Sequence, residues 1–265
     1  FYKETYDDIP IYFDIDNTGT VYVKTPADSI WVYKCEKLFS QFPSLTSVNL
    51  SGINTSRCEN MDEMFRGCRS LKSVDIDVLD MPHLGTLESF LENCKSLKKA
   101  EFVGLSTPEL IRTLMMFSGC ENLIYVDLSG IKTSKVVLMA GMFDGCGKLS
   151  YLDISHFETG NVLWMAKMFY GCKSLKYLDI SNMDTSHADT MKEMFYGIMK
   201  NGGRIRMGKG FVIRENVNTD FMFIQSGKIH LRGKMRPETK KKILQKIQSD
   251  KQLLTNIQQY EQIYY

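Results

Sequence analysis

Residues 168–181 read MFYGCKSLKYLDIS. Residues 142–155 read MFDGCGKLSYLDIS, 116–129 read MFSGCENLIYVDLS and 64–77 read MFRGCRSLKSVDID, so the stretch recurs in steps of 26 residues. A fixed period between about 20 and 50 residues is the signature of a solenoid, in which each unit buries its apolar face against the next. The register holds without an insertion. One column reads Phe39, Phe65, Leu91, Phe117, Phe143, Phe169, Phe195, and a second reads Leu45, Leu71, Leu97, Leu123, Leu149, Leu175. Two more are Val48, Val74, Ala100, Val126, Leu152, Leu178 and Leu50, Ile76, Phe102, Leu128, Ile154, Ile180.

The last three columns spell L-x-x-V/L-x-L, the strand signature of a leucine-rich repeat, six times. After each strand a turn carries Thr or Ser, as in GINTS, GIKTS, HFETG and NMDTS. Apolar residues at helical spacing follow, such as Val162, Met165, Met168 and Phe169, and they predict a short amphipathic helix. Glycines at 67, 119, 145, 171 and 197 fit its left-handed end. The expected fold class is therefore α/β: a leucine-rich-repeat solenoid with a parallel strand plus a short helix per 26-residue coil. Six strands stacked about 4.8 Å apart give a concave sheet about 24 Å long.

Cys68, Cys94, Cys120, Cys146 and Cys172 share one column, with Phe42 before it and Ile198 after it. A column that takes phenylalanine, cysteine and isoleucine reads as a buried apolar ladder, where a free thiol acts as a small hydrophobe. A zinc site wants close pairs converging on one point, which one cysteine per coil does not supply. No metal and no cofactor are expected. The spacing leaves disulfides between adjacent coils open, but the total of seven cysteines is odd, so the thiols are read as reduced and structural.

Hydrophobic residues make up 43% and charged residues 24% of the 265 residues, an ordinary globular composition. No run reaches the eighteen or so apolar residues of a membrane span. Charge is uneven: 19 basic against 26 acidic residues precede position 200, while 200–251 hold 14 against 4. Past Phe195 the register breaks, with Arg204 and Arg206 on core columns, and RIRM, FVIRE, DFMFIQS and KIHLRG alternate like short strands that close the sheet edge. After Pro237, Ile243, Leu244, Ile247, Leu253, Leu254 and Ile257 suggest one amphipathic helix packed back on that cap, with a dimerising or partner-bound helix as the alternative. The expected organisation is a β-hairpin cap over 1–35, repeats over 36–199, a basic β-rich cap over 200–235 and a helix over 236–265.

The units MF-x-G-C-x-S-L-x-x-L-D-I/L-S followed by F/I/M-x-T-S resemble the BspA-like leucine-rich repeats, also called the mycoplasma surface lipoprotein repeat family. The likeness covers about residues 36–199, and IPIYFDIDNTGTVYVKTPADSIWVYK (9–34) is similar to the opening hairpin of those proteins. The resemblance implies a non-catalytic binding surface, secreted or displayed on the cell surface of bacteria or protists, used in adhesion or other protein contact. A cytoplasmic location is the alternative. The coil here is 26 residues where the family's commonest unit is one shorter, residues 78–116 depart from the pattern, and the basic C-terminus lies outside it.

One motif suggests catalysis. Asp14, Asp16 and Thr18 match the D-x-D-x-T nucleophile motif of haloacid-dehalogenase-like phosphatases, but that chemistry also needs an acidic magnesium motif and an α/β sheet for which the repeats leave no room. A calcium loop fails at Thr25, where a glutamate belongs. The plain reading is a hairpin: strand 10–15, turn, strand 20–24. His83, His156, His187 and His230 pair with no nucleophile by any local signature, and GGRIRMGKG (202–210) is not a phosphate-binding loop. An enzyme is not expected.

Residues between the core columns point outward from the sheet. One such row reads Ser47, Ser73, Lys99, Tyr125, Tyr151, Tyr177; the next reads Asn49, Asp75, Glu101, Asp127, Asp153, Asp179. The candidate binding face is therefore Tyr125, Tyr151, Tyr177, Asp127, Asp153 and Asp179, with a protein as the expected partner; ring-on-ring packing and turn bonding are the structural alternatives. A second candidate is a basic patch of Arg204, Arg206, Lys209, Arg214, Lys228, Arg232, Lys234, Arg236, Lys240, Lys241 and Lys242, which would contact nucleic acid or a ribonucleoprotein unless it is only a solvated cap.

Overall fold

A computed structural model describes residues 3–6, 9–17, 20–24, 34–51, 53–76 and 79–264. The chain winds into a β-solenoid of parallel coils. Along one side, the single backbone bridges Lys34, Asn60, Thr86, Arg112, Leu138, Trp164, Thr190 and Asn218 link each coil to the next, 26 residues apart except for the last step. Along the other run the outward-facing strands. β1 (Lys3–Tyr6), β2 (Ile9–Ile15) and β3 (Thr20–Lys24) form an antiparallel meander whose last strand pairs in parallel with β4 (Ser47–Asn49). β5 (Lys99–Glu101) pairs with β6 (Tyr125–Asp127), and β7 (Tyr177–Ile180), β8 (Gly203–Met207) and β9 (Ile229–Arg232) continue in parallel. The coil at 151–154 has no strand of its own but keeps the alternation, with Leu152 and Ile154 buried.

All four apolar columns are buried. The phenylalanine column forms a file of rings: Phe143 stacks on Phe169 at 6.0 Å and Phe169 on Phe195 at 5.7 Å, nearly parallel. Where Leu91 interrupts the file, Phe90 and Phe102 fill the gap edge-on, Phe90 at 5.4 Å from Phe65 and Phe102 at 5.8 Å from Phe117. The irregular stretch 78–116 thereby keeps the step of 26. Asn93 adopts the left-handed conformation (φ 61°) that glycine supplies in other coils, as at Gly119 (φ 72°).

The helix expected in each coil is absent, which replaces the strand-plus-helix repeat by a β-solenoid with little helix. Glu63 and Gly67, both left-handed (φ 58° and 74°), interrupt the uniform negative φ that a helix needs. The N–H groups of Met61, Glu63, Phe65 and Gly67 donate instead to the next coil, to Thr86, Glu88, Phe90 and Glu92 carbonyls at 2.8–3.3 Å. Met64, Arg66 and Cys68 bond locally, three residues back. The segment is thus a stack of turns whose hydrogen bonds alternate between staying in the coil and crossing to the next. Val162, Met165, Met168 and Phe169 are all buried by it, so the helical spacing was satisfied by another backbone.

Each column thiol donates to the carbonyl 29 residues back: Cys68 Sγ to Phe39 O at 3.0 Å, Cys120 Sγ to Leu91 O at 3.1 Å, Cys172 Sγ to Phe143 O at 3.2 Å. Cysteine is suited to the site because it combines small apolar bulk with a weak donor. Phe42, read as the first member of this column, is half exposed, whereas Ile198 at the other end is buried. Burial pushes the Cys120 thiol up to about 12. We therefore expect Cys120 to resist a maleimide in native buffer and to label only at the rate at which denaturant opens the coil. Rapid native labelling of the Cys120 peptide, read by mass spectrometry, would contradict the buried ladder.

Past Phe195 the solenoid continues rather than changing to a separate cap. A coil one residue longer restores the pairing, with Tyr177 opposite Arg204, Leu178 opposite Ile205 and Asp179 opposite Arg206. Ile205 and Met207 are buried, and the arginines face outward. KIHLRG supplies β9, while FVIRE and DFMFIQS form no strand; the latter is another stack of turns, with Phe221 and Gln225 left-handed (φ 56°). Helix α1 (Pro237–Tyr264) closes this end. Ile243 is buried and Ile247 packs at the core's edge, while Leu244 and Leu253 remain exposed. Asp250, 2% exposed, accepts the Phe223 N–H at 2.8 Å, the bond a further coil's carbonyl would have made. Lys246 Nζ, 3.3 Å away, balances its charge.

Candidate functional site

Alternation along β6 and β7 buries Val126 and Leu178 and turns Tyr125, Asp127, Tyr177 and Asp179 outward. Tyr125, Tyr151 and Tyr177 are 36%, 54% and 43% exposed, so the rings are not consumed by packing on one another. Asp127, Asp153 and Asp179 each accept the N–H of the serine two residues on, Ser129, Ser155 and Ser181, at 2.9 Å. Such bonds end the strand and fix the carboxylate. Asn49 does the same for Ser51 in an earlier coil, so turn bonding is one role of this row. A second role is visible in two coils: Tyr125 Oη donates to Asp127 at 3.2 Å and Tyr177 Oη to Asp179 at 3.1 Å, anchoring the rings at their tips.

These bonds hold the carboxylates below the usual range. The Ser129 N–H does so for Asp127 and the Ser155 N–H for Asp153. At Asp179 burial opposes, but the Ser181, Tyr177 and Arg206 bonds together outweigh it. Asp179 also receives Arg206 Nη1 at 3.0 Å, and Lys99 bonds Glu101 at 2.8 Å while lying 5.8 Å from the Tyr125 ring centre.

His156 belongs to this face although its isolation in the sequence gave no sign of it. Its Nε2 lies 3.0 Å from Leu128 O and its ring is edge-on to Phe157. With Tyr125, Asp127, Ser129, Tyr151 and Asp153 it lines a shallow hollow of about 210 Å³. A larger hollow of about 580 Å³ lies at the C-terminal end, between Lys176, Tyr177, Asn201, Arg204, Lys228 and His230. The eleven cations do not gather into one patch. Arg204, Arg206 and Arg232 stand on the sheet face and Lys228 beside it. Arg214 is turned to Ala188 O (2.7 Å) and Asp189 (3.5 Å), and Lys242 to Ile213 O (2.8 Å). Lys240 and Lys241 are exposed on α1, and Lys209, Lys234 and Arg236 in the connecting segments.

At the N-terminal end, Asp16 accepts the Thr20 N–H at 2.9 Å and the Tyr22 hydroxyl at 3.1 Å across β2 and β3, while Asp14 is exposed and bonds the Ile15 N–H. Thr18, Gly19 and Thr25 lie outside the described residues. Among the described residues no group of three or more His, Cys, Asp or Glu side chains is placed to hold a metal ion, and no helix is long and apolar enough to cross a membrane.

Stacked coils, parallel rungs and the sparse helix define a β-solenoid repeat protein with coils of about 26 residues. A family profile described as "Mycoplasma protein of unknown function, DUF285" matches residues 27–123 and 111–230. The chain belongs to that family. No curated protein matches the sequence.

Proposed function

We propose that this is a non-enzymatic, adhesion-type binding protein of the BspA-like kind, which recognises a protein partner through the outward Tyr/Asp face. The observation that carries the reading is the exposure of Tyr125, Tyr151 and Tyr177 in consecutive coils, two of them pinned by their own aspartate. Maintaining the repeat does not call for three exposed rings, since serine stands at the same place in earlier coils. Tyrosine gives large amphipathic contact area with few rotatable bonds, and a ring already held at its hydroxyl loses less freedom on binding. A surface or secreted setting fits this use.

A second reading, an intracellular binding or inhibitory factor whose cations contact nucleic acid or a ribonucleoprotein, is favoured by one fact. Arg204, Lys228 and Arg232 make no ion pair among the described residues. The two readings separate by capture of partners from host and bacterial lysates, with and without nuclease. The variant Tyr125→Ala/Tyr151→Ala/Tyr177→Ala is expected to lose at least tenfold in capture, unaffected by nuclease. Loss on nuclease treatment, with affinity falling steeply as salt rises, would favour the second reading instead.

A further inference from the structure

Part of the basic candidate continues the Tyr/Asp face. The longer coil after Tyr177 brings Arg204 and then His230 into line with the tyrosines, and Arg206 and then Arg232 into line with the aspartates. One outward row thus runs Tyr125, Tyr151, Tyr177, Arg204, His230, and its neighbour runs Asp127, Asp153, Asp179, Arg206, Arg232. The sign of charge changes between Asp179 and Arg206, which neutralise each other at 3.0 Å. To one side Asp127 is bonded to Tyr125 and Ser129 and Asp153 to Ser155, and neither makes an ion pair among the described residues. To the other, the 580 Å³ hollow has Lys176, Arg204, Lys228 and His230 in its wall and no carboxylate.

A ligand of uniform charge meets repulsion at one end of this face. A nucleic acid strand reaching from Arg232 past Tyr177 would set phosphates over Asp153 and Asp127, and a polycation would meet Arg204 and Arg232. Both halves are satisfied only by a ligand whose charges are separated. With rungs about 4.8 Å apart, Asp127 lies about 14 Å from Arg206 and about 19 Å from Arg232 along the axis. An extended peptide rises about 3.3 Å per residue and presents every second side chain to one side, so these distances correspond to separations of about four and six residues.

We propose that the face binds an extended bipolar segment of the protein partner, with acidic side chains in the Lys176/Arg204/Lys228/His230 hollow. Basic side chains four to six residues away lie over Asp127 and Asp153, and an apolar residue between them rests on the tyrosines. This inference rests on the reading of the face as a protein-binding surface and specifies the partner's charge pattern.

The test uses the full chain and two labelled peptides of one composition, followed by fluorescence anisotropy: Lys-Thr-Lys-Thr-Leu-Thr-Glu-Thr-Glu, and the alternating Lys-Thr-Glu-Thr-Leu-Thr-Lys-Thr-Glu. The bipolar peptide is expected to bind at least tenfold more tightly. The Arg204→Glu/Arg232→Glu variant, checked for folding by circular dichroism, should lose that preference and gain at least tenfold for Lys-Thr-Lys-Thr-Leu-Thr-Lys-Thr-Lys. Equal binding of the two test peptides would overturn the proposal, as would tighter binding of a twelve-nucleotide single strand. A dimer in sedimentation that Arg204→Glu dissolves would also overturn it, because the occupant would then be a second copy lying antiparallel. If both peptides fail while the tyrosine variant still loses its captured partner, the charge pattern is wrong and the protein-binding reading stands. If the tyrosine variant captures as well as the native chain, the broader reading falls.

Discussion

Phe169→Ala is expected to lower the unfolding free energy by about 3–5 kcal/mol, the range for truncating a fully buried phenylalanine. Its ring sits between Phe143 and Phe195 at 6.0 and 5.7 Å and is inaccessible to solvent. The loss has two parts: the transfer energy of the ring and the cavity left in a file whose neighbours are tied to their own coils. Those neighbours cannot collapse inward, because each backbone rung is bonded on both sides, as Phe169 N–H is to Met194 O at 3.0 Å. In a one-dimensional stack a central weak rung also uncouples the two halves. Urea unfolding followed by circular dichroism should show a lower midpoint and a broadened transition. Tyr151→Ala, on the exposed face, should change stability by no more than about 0.5 kcal/mol. A loss below about 1 kcal/mol for Phe169→Ala would mean that the file is not packed as described.

The second large effect has the opposite sign. Burial pushes the Asp144 carboxyl up to about 6, with Lys167 opposing and Glu193 adding to the rise. Lys167 can offer little relief, since its ammonium lies 3.3 Å from Glu193. A folded-state value above the unfolded one means that the native state holds the proton more tightly. The stabilising contribution is therefore fully present below about pH 4 and is lost as pH rises through about 6. At pH 7 the ionised carboxylate costs up to about 3 kcal/mol, and solvent screening at this partly exposed site brings the figure to about 1–3. Asp144→Asn should accordingly stabilise the protein by about 1–3 kcal/mol at pH 7.5, with the gain vanishing near pH 4. Comparing variant and native chain at each pH cancels the opposite trend of Asp127, Asp153 and Asp179. An advantage independent of pH would rule out burial of the charge as its cause.

What the sequence disclosed and what it hid follow from where the information lies. A buried column recurs at a fixed step whatever the backbone does, so the phenylalanine, leucine and valine columns could be read directly, and so could the outward rows by parity. The turn stack could not. Apolar spacings of three and four suit a helix and this backbone equally, and the bonds that distinguish them, such as Phe65 N–H to Phe90 O, run between coils rather than along one. The C-terminal end was hidden by a single residue. Lengthening one coil by one reverses strand parity, which made Arg204 and Arg206 look like core positions and the strand look like the start of a cap. His230 reaches the face only through that shifted register and one further step. A truncation at Lys200 would consequently remove rungs of the solenoid and bare an edge, so charge substitutions are the sound way to examine the basic end.

Asp250 also bears on how such proteins change length. The regular coils offer their neighbours much the same backbone donors and acceptors along the turn stack, so nothing inside such a coil states how many there should be. The stop is written in α1, where one carboxylate stands in for the next carbonyl and ends the series. A duplication or deletion of 26 codons among the regular coils would leave that stop untouched. The molecule would lengthen or shorten by a single rung, about 4.8 Å, and its two ends would still close. The distance between the acidic and the basic reach of the outer face is in this sense a heritable ruler, adjustable in whole graduations by recombination within the gene.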